Sequence, residues 1–170
     1  TFISLDMLED LAAIKNIQAI KESTRDVTNI TRIFNRFGNR YSVFTGVDPL
    51  AMESLCMGAD GWVAGLVDAF PKETVAIYRL VKANRFAEAL TIYRWFMPLL
   101  ELDIHPKLVQ YIKLAATATG IGSEYVRAPR LVLRGEEKQR IQTVIDDALS
   151  CRPALPDYLN IKINRDSELV

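Results

Sequence analysis

Lys21 is the residue whose type and neighbours point most directly to covalent chemistry. It stands near the end of a short, mostly apolar stretch, Ile17 to Glu22, that reads as a strand buried on both faces of a parallel sheet. Strand alternation sets Ile17, Ala19 and Lys21 on one side and Gln18 and Ile20 on the other. A lysine at the C-terminal end of such a strand is costly unless it is neutral, paired or reactive, because desolvation penalises the ammonium. A neutral amine there can attack a 2-oxo acid to form an imine, and the iminium stabilises a carbanion or enamine at the neighbouring carbon. Carbon–carbon cleavage, condensation, dehydration and deamination then need no metal. The other account is a lysine that lays its stem on apolar surface and carries its head into water beside Glu22. Local sequence leaves both open.

Other reactive residue types have simpler explanations. His105, the sole histidine, precedes Pro106 at a helix start and reads as a capping or subunit-contact residue; with no Ser or Cys motif beside it, a triad is not expected. Asp6, Glu9 and Asp10, like Glu136 and Glu137, sit in first helical turns, where they complement the helix dipole. Gly58, Gly61 and Gly65 do not make a GxGxxG motif and no GKS or GKT follows, so a nucleotide site lacks support. Cys56 and Cys151 lie far apart without CxxC spacing, which indicates neither a disulfide framework nor zinc and fits a reducing cytosol. Trp95, Phe96 and Met97 read as helix-packing residues. No metal or cofactor is expected.

The elements that must hold Lys21 follow from periodicity. Ser4 caps a helix carrying Leu8, Leu11 and Ala12 that ends near residues 14–16. After the Lys21 strand, residues 26–37 have helical spacing, with Gly38 as the stop. The alternation recurs with a strand at 41–45, a helix opened by Pro49 and closed by Gly58, a strand at 61–66, and a helix from Pro71 to about Ala83. Alternating strands and helices imply right-handed crossovers and parallel strands, so the ends near Lys21, Gly46 and Gly65 point one way. Beyond Asn84 only helices are expected: one through Phe86 and Leu100 with a bend at Pro98, one ending at Gly120, and one beginning near Gly135. The division is 1–83 for the strand and helix units, 84–152 for a helical domain, and 153–170 for a tail read as a surface arm.

Size and charge narrow the partners. The 170 residues are about half apolar and carry 21 basic and 21 acidic side chains, a net charge of zero. That balance removes the electrostatic footprint of a nucleic-acid binder and offers no polybasic patch to a membrane. No apolar run is long enough to span a bilayer. A soluble, cytoplasmic protein that meets a small molecule or another subunit is expected. Three parallel strands leave edges and apolar faces to be covered, and a (β/α)8 barrel takes about 250 residues. The chain is therefore expected to be the last part of such a barrel plus a helical extension, with the missing residues preceding Thr1.

Ala-Ile-Lys-Glu-Ser at 19–23, Phe-Thr-Gly-Val-Asp at 44–48 and Gly-Ala-Asp-Gly-Trp-Val-Ala-Gly at 58–65 occur in an order and spacing that resembles the dihydrodipicolinate synthase and N-acetylneuraminate lyase family. The resemblance runs from the first residues to about Pro156. It implies that Lys21 is the imine-forming lysine of the sixth barrel strand. By the same resemblance Gly46 is the glycine closing the seventh strand at the substrate pocket, and Val63 the eighth-strand residue whose backbone lies beside bound pyruvate. Asp68 stands where family members often have Asn. The family's proton-relaying tyrosine, carboxylate-binding hydroxyl pair and cross-dimer tyrosine match nothing here, and Tyr41, Tyr78, Tyr93, Tyr111, Tyr125 and Tyr158 carry no catalytic role.

Within the family, the run from Gly58 with Ala69-Phe70-Pro71, then Tyr93 to Leu100, then Arg152 to Pro156, is similar to the branch that deaminates 1-pyrroline-4-hydroxy-2-carboxylate in hydroxyproline breakdown. The expectation is a Schiff-base lyase or deaminase acting on pyruvate-like 2-oxo or 2-imino acids, as a homodimer or homotetramer. The alternatives are dihydrodipicolinate synthase, which condenses pyruvate with aspartate semialdehyde, and an inactive fragment or non-catalytic interaction subunit.

Overall fold

The computed structural model describes residues 3–163. The chain divides into two compact units, Thr1–Val63 and Ala64–Val170.

The first unit alternates helix and strand: α1 (Leu5–Ala12), β1 (Ala19–Glu22), α2 (Thr28–Phe37), β2 (Ser42–Thr45), α3 (Ala51–Cys56) and β3 (Gly61–Trp62). Its sheet is parallel in the order β1-β2-β3, with Lys21 opposite Phe44 and Phe44 opposite Gly61. Ser4 caps α1 by accepting the Met7 amide at 3.2 Å. Gly38, at φ 52, ends α2 in a conformation open chiefly to glycine. Buried Tyr41 ties α1 to the start of β2 through its hydroxyl, which donates to the Leu8 carbonyl at 2.6 Å. Arg40 bonds the carbonyls of Ala12, Ile14 and Ile17 at 2.8–3.0 Å and so holds the α1–β1 connection by its main chain.

The expectation that β1 is buried on both faces is corrected. Ala19 and Lys21 are exposed, Ile20 is half-buried, and only Glu22 is buried. The reason is position: β1 is the outer strand of the sheet, bonded to β2 alone among the described residues, and only its Ile20 and Glu22 side is covered. β3 is also shorter than the expected 61–66. Its ladder ends with the Val63 amide on the Thr45 carbonyl at 2.9 Å. The chain then bends at Gly65 (φ −96°, ψ −52°) into a 3-10 turn over Leu66–Ala69, which buries Leu66.

The second unit is helical: α4 (Pro71–Lys82), α5 (Phe86–Leu100), α6 (Leu108–Ala118) and α7 (Gly135–Ser150). Proline at N1 opens α4, and α5 continues through Pro98 close to its end. Phe70 and Phe96 meet edge to face at 5.3 Å, Trp95 stacks on Phe96 at 5.5 Å, and the Trp95 indole donates to the Ala148 carbonyl at 2.8 Å. These three rings knit α5 to α7 and to the residue ahead of α4, as packing residues should. The described part of the tail, residues 153–163, is exposed or half-buried and is tied down. Arg152 donates to Glu73 at 2.6 Å, and Arg79 of α4 reaches back to the Leu159 carbonyl at 2.9 Å, so residues 152–161 are strapped along α4. Residues 164–170 of the expected tail lie outside the described residues.

No helix among the described residues is long and apolar enough to cross a membrane.

Candidate functional site

The three residues singled out by resemblance sit at successive C-terminal strand ends: Lys21 in β1, Gly46 just after β2 and Val63 just after β3. Backbone bonds carry the ladder to this edge. The Gly46 amide donates to the Glu22 carbonyl at 2.7 Å, and the Val63 amide to the Thr45 carbonyl at 2.9 Å. The strand ends are thus held in register even where side chains are exposed.

Lys21 and Gly46 are in direct contact. A Cβ added at Gly46 would lie 2.5 Å from Lys21 Cε and 2.9 Å from Lys21 Cγ, and would also strike the Ser23 hydroxyl. The φ of Gly46 is not positive, so the glycine is needed for the close approach and not for backbone freedom. The Lys21 stem lies across the β2 end, and Ser23, two residues on and on the same side, flanks the same spot. Val63 is half exposed, at 50%, with its amide held by the Thr45 carbonyl.

Local bonds fix the loop that leaves Lys21. Buried Glu22 accepts the Thr24 amide at 2.9 Å, Thr24 accepts Asn29 Nδ2 at 2.9 Å, and Asp26 accepts the Thr28 amide at 3.0 Å. The Thr28 hydroxyl and then the Arg32 guanidinium hold the Asp26 carboxyl below the usual carboxylate range. At the opposite strand ends, Asp60 accepts the Val43 amide at 2.7 Å and donates its own to the Val43 carbonyl, also at 2.7 Å. Buried Asp48 accepts the Trp62 indole at 2.8 Å, pinning the β2 loop to β3. Each of these carboxylates is thus engaged in a hydrogen bond that fixes a loop or a strand end.

Residues of the second unit set aside in sequence fall into structural roles. His105 Nδ1 accepts the Lys107 amide at 3.1 Å in the turn that leads into α6, and its ring stacks on Tyr111 at 4.7 Å. Buried Tyr111 donates to Glu137 at 2.9 Å, and Glu137 also takes Lys107 at 2.5 Å. Burial, and then the Glu137 carboxylate, push the Tyr111 phenol up, whereas Lys107 and then Tyr111 hold Glu137 down. Asp68 is exposed.

Sequence reasoning missed Ser23 and Phe44. Both share the Lys21 face, Ser23 by the i+2 rule and Phe44 by register, so the strand period held the signal. Which face mattered could be decided only once Lys21 had been placed.

Comparison with known proteins bears on this edge. A family model described as the dihydrodipicolinate synthetase family matches residues 1–148. The chain belongs to this family. A 4-hydroxy-tetrahydrodipicolinate synthase of Oceanobacillus iheyensis is 28% identical over 138 residues, covering 81% of this chain and 46% of the relative. The enzyme of the same name from Exiguobacterium sibiricum is 31% identical over 134 residues, 77% of this chain and 44% of its own. The crystal structure of dihydrodipicolinate synthase from Aquifex aeolicus superposes with a TM-score of 0.77 at 27% identity, over 85% of this chain and 50% of that one. The fold is accordingly α/β, the C-terminal part of a (β/α)8 barrel followed by helices. The chain spans about half the length of the curated relatives it matches.

Proposed function

We propose that Lys21 is the imine-forming nucleophile of a Schiff-base lyase that acts on pyruvate-like 2-oxo or 2-imino acids. The carrying observation is the Lys21 stem laid across Gly46 at the C-terminal strand edge, where barrel enzymes hold their reactive groups. In this reading Nζ adds through its lone pair to C2 of the acid. The carbonyl oxygen leaves as water, taking one amine hydrogen and one solvent proton, and the iminium nitrogen then draws electrons from the bond to be broken. Gly46 keeps the stem's path open, and the main chain at Val63 borders the bound acid. No acid–base partner is assigned among the residues of this chain. The strand and helix units at 1–83 form the barrel part, because α4 follows β3 in chain order. Residues 84–152 form the helical domain and 153–170 the tail, and the working enzyme is a cytoplasmic homo-oligomer, a dimer or tetramer.

The branch reading is 1-pyrroline-4-hydroxy-2-carboxylate deamination, supported by the motifs at 58–71, 93–100 and 152–156. Lys21 would form its imine at the ring C2, so that ring opening, loss of water and release of ammonia follow. A second reading, condensation of pyruvate with aspartate semialdehyde, is favoured by the synthase names of the relatives. Borohydride reduction of the full-length natural protein with pyruvate, read by intact mass, tests the nucleophile: an adduct lost in Lys21→Arg supports it, and no adduct sinks it in favour of a non-catalytic interaction subunit. Supplying the hydroxypyrroline acid, and separately aspartate semialdehyde with pyruvate, decides the branch.

A further inference from the structure

Lys21, Phe44 and Gly61 form one row across the sheet, since each is the register partner of the next. In-register neighbours of a parallel sheet point to the same face. Gly61 brings no side chain to that face, and the Phe44 ring takes the room: a Cβ at Gly61 would stand 2.8 Å from both Cδ1 and Cε1 of the ring. The φ of Gly61 is not positive, so the ring, not the backbone, is what requires glycine there. Phe44 is half-buried, whereas Val43 and Thr45 on the other face are buried. One layer higher, the Lys21 stem lies over Gly46 in the same fashion. The lysine face thus has two glycine notches, one filled by an amine-bearing stem and the other, just beneath, by an aromatic ring seated against the β3 main chain.

We propose that Phe44 is a specificity-determining residue whose ring forms the floor under the acid bound to Lys21 and limits the bulk that acid carries at C3. The proposal rests on the reading of Lys21 as the imine-forming amine. The ring sets a limit because its retreat towards β3 is stopped by the Gly61 backbone, against which it already lies. Shortening it opens space directly below the lysine. One methylene in an apolar pocket changes discrimination by about 10–200-fold.

The test measures initial rates of borohydride-trapped adduct on the full-length natural protein with pyruvate and, separately, with 2-oxobutanoate, which has one more carbon at C3. Wild type should prefer pyruvate. Phe44→Ala should raise the 2-oxobutanoate to pyruvate ratio by about 10-fold or more, and Phe44→Leu by less. Far-UV circular dichroism checks folding, and if Phe44→Ala does not fold the Phe44→Leu ratio decides alone. Gly61→Ala, which forces the ring off its seat, should lower the 2-oxobutanoate rate more than the pyruvate rate. A ratio unchanged from wild type in the folded Phe44 variants overturns the proposal while the Lys21 reading stands. If wild type traps neither acid, or Lys21→Arg traps as well as wild type, the Lys21 reading fails and this proposal falls with it.

Discussion

Replacing Gly46 with alanine perturbs the candidate site by one methyl group. Because the φ of Gly46 is not positive, alanine meets no backbone penalty there, and the whole effect falls on what the new Cβ touches. It would stand 2.5 Å from Lys21 Cε and 2.9 Å from Cγ, against 3.4–4 Å for ordinary contact. The stem must therefore shift by about 1 Å, a misplacement that can lower a rate about 100-fold when it moves a reacting atom. The Cε contact alone would be cheap to relieve, because it is the far end of a flexible chain. The Cγ contact is different, since moving it swings the entire side chain, and Ser23 crowds the same space. Gly46 is half-buried and the atoms its Cβ would meet belong to the exposed side chains of Lys21 and Ser23, which can give way, so stability should change by less than about 1 kcal/mol. The assay is the rate of borohydride-trapped adduct with pyruvate in the full-length natural protein, beside a urea melt. A Gly46→Ala protein that traps pyruvate as fast as wild type would refute the reasoning. So would one that loses trapping only because it melts several kcal/mol earlier.

Two further outcomes concern the second unit. Glu73 is 1% exposed; one of its oxygens takes Arg152, which is 37% exposed, and the other is buried with no hydrogen-bond partner among the described residues. Arg152→Ala should cost about 3 kcal/mol, the lower end for an abandoned buried charge because water reaches the arginine. Urea denaturation checks it, and Glu73→Leu with Arg152→Ala should recover most of the loss; no recovery would mean the damage lies in the strap. The Lys107–Glu137–Tyr111 group predicts pH behaviour at both ends. Glu137 is held down, so its stabilisation is present above the ordinary carboxylate range and is lost as pH falls through its lowered value. Tyr111 is pushed up, so its contribution is full below the ordinary phenol value of about 10 and is lost as pH rises through the folded one. Glu137→Gln should flatten the acid limb of a melting-temperature profile, and Tyr111→Phe the alkaline limb.

Much of the fold was legible because apolar period and turn residues agree. Ser4, Gly38, Pro71 and Gly120 each mark a helix boundary to within a few residues. What was not legible concerns partners distant in sequence. The stretch from Ile17 to Glu22 is apolar enough for a doubly covered strand, yet its exposure depends on what lies beside an edge, which periodicity does not report. The run Gly61 to Leu66 reads as one strand because Leu66 is as buried in a 3-10 turn as it would be in a sheet. What ties the tail down was hidden because the anchors, Glu73 and Arg79, lie some 80 positions earlier. The contact of Lys21 with Gly46 was likewise hidden: resemblance paired the residues, whereas the reason for the glycine is steric.

Arg40 binds peptide carbonyls at Ala12, Ile14 and Ile17, and its guanidinium plane rests 4.5 Å over the Tyr41 ring. A clamp that grips main chain is blind to the letters it holds. Residues 13–16 are therefore free to drift in evolution or to accept labels and altered side chains, provided the path of the loop is kept. The constraint falls on one position, where arginine reaches the carbonyls from three nitrogens of a planar fork and lysine would offer a single compact head.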